Sequence, residues 1–242
     1  MRHVIYPEKT GTPTATSADA NYPVTNLTDN NYRKKLWKAI ASVQTATITV
    51  PVSANASVIS LHNTNASSAT VVAKDHGGIV VKTTNFILSG GSRTYDRFWF
   101  EYATQTSSHT VEITLSTTAT TVEAGIVRAG TLATFSNPQY GANQSPRDFS
   151  IKKQLRNGAV YTKKLEIVRA YSYSMDLVRD TKFNDLIDLY NYYGPDPFAM
   201  LIDDEVGDDN YWCLFGAFDS EPQGSHSYPS DSVVSISLLE AV

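Results

Sequence analysis

The 242-residue chain reads as a mainly β protein in two parts: a β-sandwich over residues 1–136, then an α+β antiparallel sheet or barrel with one helix over residues 137–242. Three observations predict this. Short runs rich in valine, isoleucine and threonine, separated by turn residues, recur from Thr45 to Val127 without a long helical period. A single helix-periodic stretch, Phe183–Tyr193, stops at Gly194-Pro195. Between them, Thr121–Tyr161 reads as a junction, where a strand-like run enters an Asn/Pro/Gly/Gln loop and a polar strand leaves it for Gly158 and Tyr161.

The elements follow in order. A polar arm runs to about Asn21 and leads into YPVTNLTDNNYRKKLWKA. Thr45–Val50 alternates, with Ala46, Ile48 and Val50 on one face, and Val58–Leu61, Thr70–Ala73 and Ile79–Val81 follow as strands. Their β-branched residues suit a pleated surface, while Asn63–Ser68 and His76–Gly78 supply turn chemistry. Arg97–Tyr102 sets Phe98, Phe100 and Tyr102 against Arg97, Trp99 and Glu101; Val111, Ile113 and Leu115 repeat the alternation, and Val122–Val127 closes it. Strands at this spacing argue for a sandwich. In the second part, Ile151, Lys163–Tyr171, Phe198–Ile202, Tyr211–Phe218 and Ser232–Leu239 read as strands. The helix between the second and third of these has Asp180 or Thr181 as its cap and Phe183, Leu186, Ile187, Tyr190 and Tyr193 as its core stripe. Strands around one helix, without βαβ repetition, imply an antiparallel sheet.

Composition excludes several classes. No run of about 18 apolar residues is present, so no membrane span is expected. The opening MRHVIYPEKTG lacks the apolar core of a secretory signal, which implies synthesis and assembly in a cytoplasm. Cys213 is the single cysteine, and its neighbours Trp212 and Leu214 mark it as a small buried hydrophobe. The net charge of −4 is unevenly shared: residues 1–136 hold eleven Lys and Arg against eight Asp and Glu, residues 137–242 nine against sixteen. An acidic second part disfavours specific nucleic-acid recognition and suits docking to a basic neighbour, or simple solubility.

Chemistry-bearing motifs are sparse. His3, His62, His76, His109 and His226 have no metal-ligand spacing, and no cofactor motif appears. Asp203, Asp204, Glu205, Asp208 and Asp209 lack the order of an EF-hand and read as a solvated turn bending at Gly207, although calcium is the alternative. His76-Gly77-Gly78 has no serine elbow, and Gly90-Gly91 no phosphate-loop lysine. No carboxylate pair stands out for glycoside cleavage, so the expectation is no enzyme. Arg33, Lys34, Lys35 and Lys38, beside Tyr32 and Trp37, read as a solvated or protein-docking patch rather than a nucleic-acid site. Tyr171, Tyr173 and Tyr192 are candidate interface residues, because amphipathic rings are enriched where proteins meet.

Two resemblances rest on particular residues. Asn26-Leu27-x-Asp29, Trp37, the strand ending near Val50, VISLHN at Val58–Asn63 and the aromatic strand Phe98–Tyr102 resemble the galactose-binding, discoidin-like jelly roll, a version of which occurs in phage tail-tip proteins before a strand such as Ala124–Gly130. Tyr140-Gly141, Gly158-x-x-Tyr161, Gly194-Pro195, the strand into Asp203-Asp204, Gly216-x-Phe218 and Val233–Glu240 resemble the tail-hub or distal-tail domain of long-tailed phages. The resemblance implies a structural protein of the virion tail tip or baseplate. It would form a homo-oligomeric ring that joins the tail tube to hub or fibre proteins, as sheet edges are completed by neighbouring copies. The alternative is a carbohydrate-binding module for host envelope glycans, with Trp37, Trp99 or loop tyrosines stacking on sugar rings.

Overall fold

A computed structural model describes residues 3–31, 34–89, 94–136, 143–154, 160–178, 182–202, 209–225 and 231–241. In chain order the strands are β1 (His3–Glu8), β2 (Thr14–Ala15), β3 (Trp37–Lys38), β4 (Thr45–Val52), β5 (Ala56–His62), β6 (Ser68–Lys74), β7 (Val80–Ile87), β8 (Arg97–Gln105), β9 (His109–Ser116), β10 (Glu123–Ala124) and β11 (Ile126–Thr134). Then come β12 (Asn143–Asp148), β13 (Ile151–Gln154), β14 (Val160–Lys163), β15 (Ile167–Val178), helix α1 (Lys182–Tyr193), β16 (Phe198–Leu201), the single turn α2 (Asp209–Trp212), β17 (Cys213–Phe218), β18 (Gln223–Ser225) and β19 (Asp231–Glu240). The protein is mainly β, as the sequence implies. It divides into two compact units: Met1–Phe135 with Phe198–Leu214, and Ser136–Pro197 with Phe215–Val242. The expected boundary at 136/137 therefore needs a correction, because Phe198–Leu214 belongs with the first unit; β16 pairs with β1, setting Leu201 against His3 and Met200 against Val4.

The first unit is a jelly-roll sandwich, visible in the nesting of its pairs. β4 pairs with β9, β5 with β8 and β6 with β7, all antiparallel, as a long ribbon folded back on itself would pair. β6 also pairs with β9, giving a five-stranded sheet in the order β2-β4-β9-β6-β7. The facing sheet runs β16-β1-β11-β5-β8. Between them lies one apolar cluster, including Ile48, Val50, Val71, Ile113 and Leu115 from one sheet and Ile59, Leu61, Phe98, Phe100 and Val127 from the other. Every residue of β5 is buried, since the outer face of its sheet is covered too: Ile59 and Leu61 join the core, while Ser60 and His62 alternate to the outer face and contact each other at 3.2 Å.

The second unit is an antiparallel sheet with one buried face. β15 pairs with β12 and β19, β18 adds to β19, and Gly216–Phe218 of β17 completes the other side of β19. Tyr171, Tyr173 and Met175 are buried opposite Leu238, Ile236 and Val234, while Ser172 and Ser174 alternate to the other face opposite Ser237 and Ser235. α1 buries Leu186, Leu189 and Tyr193, and Tyr190 meets the Phe218 ring edge-on at 5.4 Å. The expected stripe missed Leu189. The expected strand from Tyr211 starts at Cys213 instead, because Tyr211 and Trp212 belong to α2. The proposed caps Asp180 and Thr181, the junction residues Tyr140, Gly141 and Gly158, and the acidic run from Asp203 to Asp208 lie outside the described residues.

Candidate binding surfaces

One corner of the sandwich presents an aromatic ring among charged groups. It is built where β3 pairs with β10, which sets Lys38 against Glu123 and Trp37 against Ala124. The preceding loop folds onto that pair: Asp19 N–H donates to the Lys38 carbonyl at 2.9 Å and Lys38 N–H to the Tyr22 carbonyl at 3.3 Å. An Asx-type turn, Asn21 N–H to Asp19 Oδ1 at 2.8 Å, tightens the bend. Tyr22 is left 39% exposed, and the Lys38 ammonium lies 4.7 Å from its ring centroid. The same ammonium meets Glu123 Oε2 at 2.8 Å. That hydrogen bond holds the Lys38 ammonium above its ordinary pKa, against the opposing effect of burial, with the Glu123 charge and, less, the Asp19 charge acting in the same direction. A half-exposed ring beside a fixed ammonium and two carboxylates can take the apolar face of a flat ligand and hydrogen-bond its hydroxyls.

The tryptophans expected to do this do not. Trp37 is fully buried, its indole N–H donating to the Ser17 carbonyl at 3.1 Å. Trp99 is 3% exposed, and its indole N–H reaches Glu101 Oε1 at 2.8 Å. Neither offers a ring face to a sugar: Trp37 packs in the sandwich interior, while Trp99 sits on the outer face of β8 and is itself buried there. Tyr22 was missed, although a tyrosine before Pro23 at the end of a polar arm was the available signal.

Of the three interface tyrosines, only Tyr192 is on the surface, at 53% exposure. Tyr171 and Tyr173 are 4% and 5% exposed on the helix-covered face of the second sheet, because their odd-numbered positions fall with Met175. Burial raises the Tyr173 phenol well above its ordinary pKa.

The remaining polar clusters are structural. Cys213 Sγ lies 3.7 Å from His62 Nε2, which also contacts Ser60 Oγ at 3.2 Å, but Cys213 and His62 are 0% and 2% exposed, so no substrate reaches the pair. Arg128, 5% exposed, donates to the Thr28 carbonyl at 3.2 Å and Asn30 Oδ1 at 2.5 Å and pairs with Glu8 at 3.2 Å, pinning the loop after the short 3-10 turn Val24–Thr28. The basic cluster is partly neutralised: Lys35 pairs with Asp29 at 2.7 Å and Lys38 with Glu123, whereas Tyr32 and Arg33 lie outside the described residues. Among the described residues no three His, Cys, Asp or Glu side chains group as metal ligands, and no helix is long and apolar enough to cross a membrane.

A two-stranded ribbon in the second unit is exposed along its whole length. Among the described residues β13 and β14 pair only with each other, Ile151 opposite Lys163 and Lys153 opposite Tyr161, and all eight residues are exposed. They continue the β12–β15 ladder through Phe149 N–H to the Glu166 carbonyl at 3.3 Å and Leu165 N–H to Ser150 Oγ at 3.1 Å. Two charged contacts brace the base: Arg147 with both oxygens of Asp219 at 2.6 Å, and Arg169 with the buried Glu240 at 2.9 Å.

No family model matches the chain. No curated protein matches it either. Among solved structures, it is similar to the lectin domain of lectinolysin complexed with Lewis B antigen, at 15% identity over 50% of this chain and 92% of that one, with a TM-score of 0.41. A chitosan-binding module from a chitosanase/glucanase of Paenibacillus sp. IK-5 is similar at 16% identity, over 53% and 98%, with a TM-score of 0.40. Reduced XRCC1, bound to the DNA polymerase β catalytic domain, is similar at 15% identity, over 52% and 99%, with a TM-score of 0.42. Likeness at this level carries no functional argument, which rests on the residues themselves.

Proposed function

We propose that the sandwich is a carbohydrate-binding module and that the Tyr22 corner is where it holds a sugar. One observation carries this reading: an exposed ring, Tyr22, is flanked by an ammonium and a carboxylate that already fix each other, Lys38 and Glu123. A pyranose presents an apolar C–H face to such a ring and hydroxyl pairs to the charged groups, and the rigid strand pair beneath keeps the ordering cost of binding low. The reading is one of binding, without catalysis. Titration calorimetry against host-envelope glycans and cell-wall fragments tests it: saturable binding is expected, and Tyr22→Ala weakens it about tenfold, or ~1.4 kcal/mol. Binding that survives Tyr22→Ala unchanged, or no saturable binding across the panel, overturns it.

A second reading is favoured by the ribbon. In it the chain is a structural component of a long-tailed phage tail tip, whose second unit joins copies into a ring between the tail tube and the hub or fibre proteins. A two-stranded ribbon is marginally stable alone and gains from a neighbour. Gold-labelled antibody to the chain, viewed on parent particles by electron microscopy, checks this reading; label absent from tail tips removes it.

A further inference from the structure

The charge of the second part is divided sharply along the chain. Residues 137–169 hold seven Lys and Arg against two Asp and Glu, whereas residues 170–242 hold two against fourteen. Three of the first set, Lys152, Lys153 and Lys163, lie on the ribbon. By register, Ile151, Lys153, Tyr161 and Lys163 share one face of β13 and β14, with Ile151 and Tyr161 exposed at 52% and 56%. Lys153 and Lys163 have no ion-pair partner among the described residues. An exposed face that combines two cations with two large apolar side chains is built for contact.

The complementary face lies on α1. Asp185, Asp188 and Tyr192 fall at i, i+3 and i+7, one stripe along the helix, and all three are exposed beside the buried row of Leu186, Leu189 and Tyr193. Lys182, ion-paired to Asp185 at 3.1 Å, is the one cation on this helix. The stripe therefore matches the ribbon in kind: two carboxylates and a tyrosine against two ammonium groups, a tyrosine and an isoleucine.

We propose that the β13–β14 ribbon of one copy docks, through Ile151, Lys153, Tyr161 and Lys163, on the Asp185–Asp188–Tyr192 stripe of α1 in a second copy. The two surfaces differ, so the contact is head-to-tail and repeats from copy to copy, giving a ring if the rotation closes and a filament if it does not. Because the charged groups are solvent-exposed, the contact weakens with salt, while the apolar side chains keep part of it. The inference deepens the ring reading and rests on it for the identity of the partner.

Sedimentation velocity of the full chain over a concentration series tests it with two double variants, Lys153→Glu with Lys163→Glu and Asp185→Lys with Asp188→Lys. Wild type is expected to self-associate, and each variant to do so at least about tenfold more weakly, a loss that is ~1.4 kcal/mol. An equimolar mixture of the two variants recovers assembly, because reversed ribbon then meets reversed helix; recovery also excludes misfolding as the cause of the loss. Wild type and both variants assembling equally overturns the docking contact alone, whereas a wild type that stays single at every concentration overturns both the contact and the ring reading. Loss of binding to heparin in the ribbon variant with oligomer size unchanged assigns the ribbon to a polyanion and likewise overturns the proposal.

Discussion

His109 is fixed in one tautomer by its two neighbours. It is 4% exposed, its Nδ1 lies 3.1 Å from the Ser107 carbonyl, and its Nε2 lies 2.8 Å from the Tyr102 hydroxyl. The tautomer that satisfies both donates from Nδ1 and accepts at Nε2. Burial, the larger influence, lowers the imidazole pKa from its ordinary 6.5, and the Ser107 bond opposes it in part. Burial also raises the Tyr102 phenol well above its ordinary value, so that hydroxyl remains a donor. A histidine whose folded pKa is depressed binds fewer protons folded than unfolded. Its contribution is therefore complete above about pH 6.5 and is lost as pH falls toward the folded value. Urea-unfolding midpoints at about pH 8 and about pH 5 are expected to differ more for wild type than for His109→Phe, which keeps a ring but cannot titrate. Equal differences would remove His109 from the account. The sequence shows why such a role is hard to read. Val111, Ile113 and Leu115 announce an apolar face, and His109 shares it by period, but its partner Tyr102 becomes visible only once the strands pair. Trp37 and Trp99 mislead for the opposite reason: a tryptophan's size suits stacking on a ligand and filling a core equally well, and only packing decides.

At the scale of elements, alternation made the sandwich legible. Thr45–Val52 and His109–Ser116 bury every second residue, and their pairing follows from matching faces. β7 was legible only at its start, because Val80–Ile87 is an edge strand, largely exposed and polar from Lys82 to Asn85, with Phe86 leaning on the core. The helix was legible from Gly194, which takes a positive φ of 54° and lets its N–H reach the Tyr190 carbonyl at 2.7 Å, a stop that a side chain would strain. Its inner face was read with one omission, since Leu186 and Tyr193 were named and Leu189 was not. Leu189 is fully buried, so Leu189→Ala should cost about 2–5 kcal/mol in urea unfolding, whereas Tyr192→Ala on the exposed side should change stability by less than about 0.5 kcal/mol. A comparable cost at both positions would mean that the helix is turned about its axis. β12 was the least legible element, since Asn143–Asp148 buries no side chain, carries Pro146 and reads as part of a loop, whereas Ile151 and a polar strand toward Tyr161 were expected where the ribbon lies.

For the whole molecule, two parts were legible but their boundary was not, because no linker composition separates Phe198–Leu214 from the residues around it. Phe198, Met200 and Leu201 are each at most 1% exposed, and their strand covers the open side of β1. A fragment of residues 1–136 should therefore melt at a lower temperature and aggregate more readily than the full chain, as its β1 edge is left unpaired. Light scattering during thermal unfolding checks this, and a fragment as soluble as the full chain would show that β16 is dispensable. The same discontinuity sets an order on biosynthesis. At roughly 5–20 residues per second, about 80 residues separate the end of β11 from Leu214, so the ribosome needs roughly 4–16 s to deliver the missing strand. For that interval β1 waits with one side open. A nascent chain that stalls there is the natural client of a chaperone that shields exposed strand edges.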